Sequence, residues 1–206
     1  MFPFCFSSGI EVGYNHSVRD DPSRAIPHGH IFWMNVFGDL EDLEQALAVQ
    51  LDLPNPKVTG SGSCSALVKL LPGNADLYFA HDTWNSYQNM IRVLKRYNLP
   101  FAGNIKKSDM STVAAASMTF SGYPGVVYSG DDFTLTSAGL ATMETTIGNS
   151  EPKLWAKVKP RGAVLEGIRA TVANRLARTG EEWTKIFAMW NSGTYNNQVR
   201  AAVASD

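Results

Sequence analysis

Apolar residues recur along this chain in two rhythms. In "DLEDLEQALAVQL", Leu40, Leu43, Ala46, Leu47 and Leu51 return at helical spacing, and Asp39 stands where a helix cap belongs. In "CSALVKLLPG" the rhythm is strand-like. Ala66, Val68 and Leu70 share the face of Cys64, while Leu67 and Leu71 lie on the other. Two largely apolar faces predict a strand buried between layers. "PGNAD" is a turn signal, and "LYFAHDTW" follows as a second strand with His81 on the Leu77 and Phe79 face. A hairpin is therefore expected.

Elsewhere the pattern predicts a strand over "HIFWMNVFG" (30–38). In "NSYQNMIRVLKRYN" the stripe Tyr87, Met90, Ile91, Leu94 and Tyr97 predicts a helix. Residues 113–148 are rich in β-branched and aromatic residues broken by Gly and Asp, which predicts several antiparallel strands. "AVLEGIRATVANRLARTG" reads as an amphipathic helix with Val164, Leu165, Ile168, Val172 and Leu176 on its stripe and Gly180 as its stop. "EEWTKIFAMWNSGTYNNQ" begins as a helix and ends in a polar loop. Residues 1–30 read as irregular, because Pro, Gly, Ser and charged residues interrupt every period. Hairpin strands with clustered helices predict an α+β sandwich.

Composition narrows the function classes. The chain has 206 residues, 44 % hydrophobic and 18 % charged, enough for a packed core. A net charge of −1 and scattered basic residues, the tightest run being Lys106–Lys107, argue against nucleic acid as a partner. No apolar run is long enough to span a bilayer, and "MFPFCFSSGIEVGYN" lacks the layout of a signal peptide. Two cysteines, Cys5 and Cys64, define no disulfide framework. Asn15-His16-Ser17 is a glycosylation acceptor pattern that matters only in a secreted chain.

Cys64 is the first candidate for chemistry. It follows the flexible run Thr59–Gly62 and Ser63 and opens a rigid strand. A small buried side chain is the plain reading, but a sharp, exposed entry to a strand suits a nucleophile. One option is self-cleavage before Cys64, its thiolate attacking the Ser63 carbonyl. Hydrolysis then frees an α-amine, with a pKa of roughly 8, as a base beside the thiol. A conventional Cys–His dyad without cleavage is the other option, since the antiparallel hairpin brings His81 back toward Cys64. Trp84 stands ready to wall a pocket. His28-Gly29-His30 lacks a third ligand at suitable spacing, so neither a metal nor a cofactor is expected. Asp131-Asp132 reads as a turn cap. The amides of residues 191–198 suit either an oxyanion pocket or a self-bonded turn.

The stretches "GSGSCSALVKLLPGNADLYFAHDTWNSYQNMIRVLKRYN", "FSGYPGVVYSGDDFTLTSAGLATMETTIGN" and "VANRLARTGEEWTKIFAMWNSGTYNNQ", within residues 31–198, resemble the phospholipase B-like family of N-terminal-nucleophile hydrolases. That family includes lysosomal and secreted proteins. The resemblance implies a four-layer αββα sandwich and cleavage between Ser63 and Cys64. It implies Cys64 as nucleophile, with His81, Trp84 and Thr145 as further pocket residues. The substrates it implies are phospholipid acyl esters or related amides. It also implies a longer chain whose later part adds strands and pocket residues, so an incomplete sandwich, or a complementary segment supplied by another chain, is expected. On this reading residues 1–30 are unlike the family, 31–63 precede the nucleophile, 64–198 carry it, and 199–206 form a divergent tail. A catalytically inactive or partner-dependent binding protein that retains the fold is the second reading.

Overall fold

The structure is a computed structural model, and it describes residues 2–54, 64–102, 112–149, 151–159 and 161–203. The Thr59–Ser63 run, Lys106–Lys107 and the last three residues of the tail lie outside the described residues. The architecture is α+β. In chain order it comprises helices α1 (Phe2–Ser17), α2 (His30–Met34) and α3 (Phe37–Gln50), then strands β1 (Cys64–Leu70), β2 (Leu77–Thr83) and β3 (Val93–Asn98). Strands β4 (Ser117–Gly122), β5 (Phe133–Thr136) and β6 (Leu140–Thr145) follow. Helices α4 (Glu166–Leu176) and α5 (Gly180–Ala188) and strand β7 (Gln198–Val203) close it.

β1 and β2 pair antiparallel as the predicted hairpin, with Cys64 opposite Thr83 and Ala66 opposite His81. Its turn is closed by Leu71 N donating to Asp76 O at 2.9 Å, with Gly73 and Asn74 at positive φ. The other strands form a five-stranded antiparallel sheet in the order β3-β4-β5-β6-β7. Helices α4 and α5 cover it through Leu140, Ala173, Ala177 and Trp183, with Ile186, Phe187 and Val199 around them. Ala46, Trp155, Val158 and Leu43 join α3 to the short 3-10 helix Pro152–Lys157.

Several expectations are corrected. Residues 2–17 are helical rather than irregular; hydrophobic periodicity does not register the helix because its buried positions include the polar Ser7 and Glu11. The Glu11 carboxylate accepts from Gly29 N at 2.8 Å and His28 Nδ1 at 2.7 Å, which ties α1 to the start of α2. The segment 30–38 is α2, a turn at Asn35 and Val36 and the start of α3, rather than a strand. Tyr87–Met90 is a short 3-10 helix and Val93–Asn98 is a strand, so the predicted helix is absent. The stripe that suggested it leaves Tyr87, Met90, Ile91 and Leu94 exposed. The hairpin does not lie between layers of the described residues, since Leu67, Val68 and Leu70 are exposed.

The helix over 166–176 is correct, but its stripe is reversed. Glu166, Gly167, Arg169, Ala173, Asn174 and Arg175 are buried, while Val172 and Leu176 are each 42 % exposed. Gly180 starts α5 instead of stopping α4. Thr179 Oγ1 accepts from Glu182 N at 3.1 Å, and Glu182 Oε2 accepts from Arg178 N at 2.8 Å, a cap legible as Thr-x-x-Glu. Part of the expected divergent tail is β7, whose residues Gln198–Val203 pair along β6.

Candidate functional site

Cys64 is half-buried and unpaired, and Cys5 is likewise a free thiol. Its sulfur meets the Trp84 main chain and the Thr146 side chain. Burial pushes the thiol up, and the nearby carboxyls of Glu144 and Asp132 add to this against the pull of those two contacts. Trp84 itself is 55 % exposed. Thr145 ends β6 opposite Gln198, but the side chain that reaches the sulfur is that of Thr146, the next residue.

His81 projects from β2 toward β6. Its Nε2 lies 2.6 Å from the Glu144 carbonyl, to which it donates, and its Nδ1 lies 3.2 Å from Thr83 Oγ1. Thr83 Oγ1 also donates to the Asp131 carbonyl at 3.0 Å. Nε2 is therefore engaged, while Nδ1 stands beside a hydroxyl whose proton goes to Asp131. In this geometry the imidazole pins the hairpin to the sheet.

Beneath the hairpin lies a group of carboxyls that sequence patterning did not reveal. Asp39, expected as the cap of α3, sits inside the helix and is buried. It accepts from Glu166 N at 3.0 Å and from the Thr194 hydroxyl. Asp132, at positive φ, accepts from Tyr195 OH at 2.6 Å, and Glu144 N donates to the Asp132 carbonyl at 3.2 Å. The Asp131–Asp132 turn thus sends both side chains inward, Asp131 receiving the Tyr123 hydroxyl. Desolvation raises Asp39, Asp132 and Glu166, and it carries Glu144 to about 10, where the neighbouring Asp132 carboxylate assists. Glu144 is only 4 % exposed. A cavity of about 40 Å³ lies here, lined in part by Tyr128, Asp132, Thr142, Glu144, Glu166 and Asn174.

The remaining candidates fall elsewhere. Ser63 lies outside the described residues. Asn15 Nδ2 donates to Ile26 O at 3.0 Å, and Ile26 N donates back to its Oδ1 at 2.9 Å, so the acceptor amide is engaged between α1 and the segment before α2. His28 bonds Glu11 as described, and among the described residues no group of three His, Cys, Asp or Glu is arranged to hold a metal. Among them, too, no helix is long and apolar enough to cross a membrane. In the amide-rich loop, Asn191 Oδ1 accepts from Gly193 N at 2.9 Å, which is the self-bonded reading. Asn197 Oδ1 accepts from Ile147 N at 3.1 Å and so tethers the end of β6.

Comparison with known proteins bears on these residues as a set. The family profile described as Phospholipase B matches residues 5–201, so the match takes in α1 as well as the hairpin and reaches β7. The protein named "Putative phospholipase B-like 2" in Mus musculus is 54 % identical over 192 residues, 92 % of this chain and 32 % of that protein. Its namesake in Homo sapiens is 53 % identical over 192 residues, with the same coverage of each chain. "Phospholipase B-like protein A" of Dictyostelium discoideum is 39 % identical over 206 residues, 92 % of this chain and 35 % of that protein. The chain spans about a third of the length of these relatives.

Proposed function

The chain belongs to the phospholipase B family, and from that premise we propose that it carries the nucleophile-bearing part of a hydrolase. Cys64 is the nucleophile, released by self-cleavage. Its thiolate adds to the Ser63 carbonyl carbon; the new C–S bond replaces the Ser63–Cys64 C–N bond, and the departing nitrogen takes a proton. Water then hydrolyses the thioester, leaving a Ser63 carboxylate and a Cys64 with free thiol and α-amine. That amine, with a pKa of roughly 8, accepts the thiol proton in later turnovers. The substrate is a phospholipid acyl ester or a related amide, whose acyl group passes to sulfur and then to water. His81, Trp84 and Thr145 border the pocket.

The observation that carries this reading is the position of Cys64. It is the first residue of a paired strand, with the Trp84 main chain and the Thr146 side chain at its sulfur. The exposed apolar hairpin supports a four-layer αββα sandwich completed by polypeptide equivalent to the remaining length of the relatives. The raised carboxyls suit an acidic lysosomal setting, or secretion into one.

One observation favours the second reading, a binding protein that keeps the fold. The thiol is pushed up rather than down, with His81 Nε2 committed to the Glu144 carbonyl instead of to the sulfur. Intact mass and N-terminal sequencing of the chain beside Cys64→Ala, at mildly acidic and neutral pH, separate the two. A new N-terminus at Cys64 in the parent and none in the variant is the expected result. An uncut parent under every condition leaves the binding reading in its place.

A further inference from the structure

We propose that Thr83, braced by Asp131 and Arg92, is a positioning residue for the Cys64 thiol. The inference rests on the reading of Cys64 as the nucleophile, but it concerns how the thiol is held. Register places Thr83 directly across from Cys64, so the backbone of one sets the backbone of the other. The next residue, Trp84, supplies the main-chain contact to the sulfur. A shift of Thr83 therefore moves Cys64 and its main-chain partner together.

Thr83 is fixed from outside the hairpin. Its hydroxyl donates to the Asp131 carbonyl at 3.0 Å, and its carbonyl accepts from Arg92 Nη2 at 3.1 Å. Asp131 is buried and is held in turn. Its Oδ1 accepts from the Tyr123 hydroxyl, and Arg92 Nε stands 3.4 Å from its Oδ2, an ion-pair contact rather than a hydrogen bond. Arg92 thus touches both ends of the brace, the strand carbonyl and the carboxylate. Beyond Cys64 strand β1 is exposed, so its Cys64 end is held through β2, whose half-buried face meets the sheet at Phe79 and His81 and ends at Thr83. A threonine serving only strand propensity needs no buried acceptor for its hydroxyl.

The test uses the full chain in a Cys5→Ser background, leaving Cys64 as its single thiol. The rate of iodoacetamide alkylation is followed against pH. Thr83→Val, which keeps the branched shape and removes the hydroxyl, is expected to move the alkylation midpoint upward as the Trp84 contact loosens. At a fixed pH its rate should change by about tenfold, the scale of one hydrogen bond. Thr83→Ser, which restores the hydroxyl, should return to the parent profile. Arg92→Gln, made on an exposed side chain, should move the midpoint in the same direction as Val by a smaller amount, and it decides the matter if Thr83→Val does not fold. A parent-like profile in Thr83→Val, or a Ser variant as displaced as Val, overturns the proposal. Alkylation reports thiol placement whether or not the chain cleaves itself, so failure here is distinct from failure of the hydrolase reading.

Discussion

The Cys64 sulfur sits among opposed influences. Burial, then the carboxyls of Glu144 and Asp132, favour the neutral thiol, while the Trp84 main chain and the Thr146 side chain favour the thiolate. The net direction is upward, so in the uncut folded chain the thiolate forms above the ordinary range. The pH midpoint of Cys64 alkylation is expected to lie higher in the folded chain than in denaturant. A folded midpoint at or below the denatured one would contradict the arrangement described. At this scale the sequence was partly legible. Cys64 stood out because a Gly-Ser run leads into a strand, and His81 because hairpin geometry returns it to the same end. Thr83 and Thr146 carried no signal, since threonine is favoured in strands and at their ends without any functional reason. Their importance comes from contacts with Asp131 and Cys64, far away in the chain.

At the scale of elements, α4 shows why hydrophobic patterning misleads here. Its inward face is built on hydrogen bonds. Asn174 Oδ1 accepts from Trp183 Nε1 at 2.7 Å and Thr142 Oγ1 at 3.2 Å, joining α4 to α5 and β6. Arg175 Nη1 donates to the Ala115 and Ala116 carbonyls, each at 2.9 Å, and Arg169 Nη1 donates to Phe187 O at 2.6 Å. Asn174→Ala leaves two buried donors without an acceptor, and a loss of about 2–3 kcal/mol in urea denaturation is expected. A loss below about 0.5 kcal/mol would show that these donors find other partners. The same logic hid α1, whose buried positions are Ser7 and Glu11. The hairpin and the strands of residues 113–148 were legible because turn residues and alternation mark them locally. The 87–98 segment was misread because its apolar residues fit a helical stripe by spacing, while pairing with β4 decided otherwise.

For the whole molecule, these buried carboxyls set the pH dependence of stability. Asp39, Asp132, Glu144 and Glu166 are all raised by desolvation. A carboxyl with a raised folded pKa binds a proton on folding. Its contribution is complete below the unfolded value and is lost as pH rises through the folded one. For Glu144 that window runs from 4.5 to about 10. Glu11 opposes the trend: burial raises it, but the bonds from His28 and Gly29 outweigh this and leave it lowered. The melting temperature is therefore expected to fall between pH 5 and pH 8. Glu144→Gln, neutral at every pH, should flatten that fall. An unchanged slope would mean that Glu144 is ionised in the folded state.

The tether between His81 and the Glu144 carbonyl also imposes an order of events in time. The hairpin is local, its strands separated by residues 71–76, and it forms as soon as they emerge. The sheet it docks on is different. Glu144 belongs to β6, and β6 is paired on its far side by Gln198–Val203. During synthesis those residues follow Cys64 by more than a hundred positions, a delay on the order of ten seconds at ordinary elongation rates. The Cys64 thiol is thus synthesised before Thr146, which meets it, and well before the strand that completes the sheet beside Glu144.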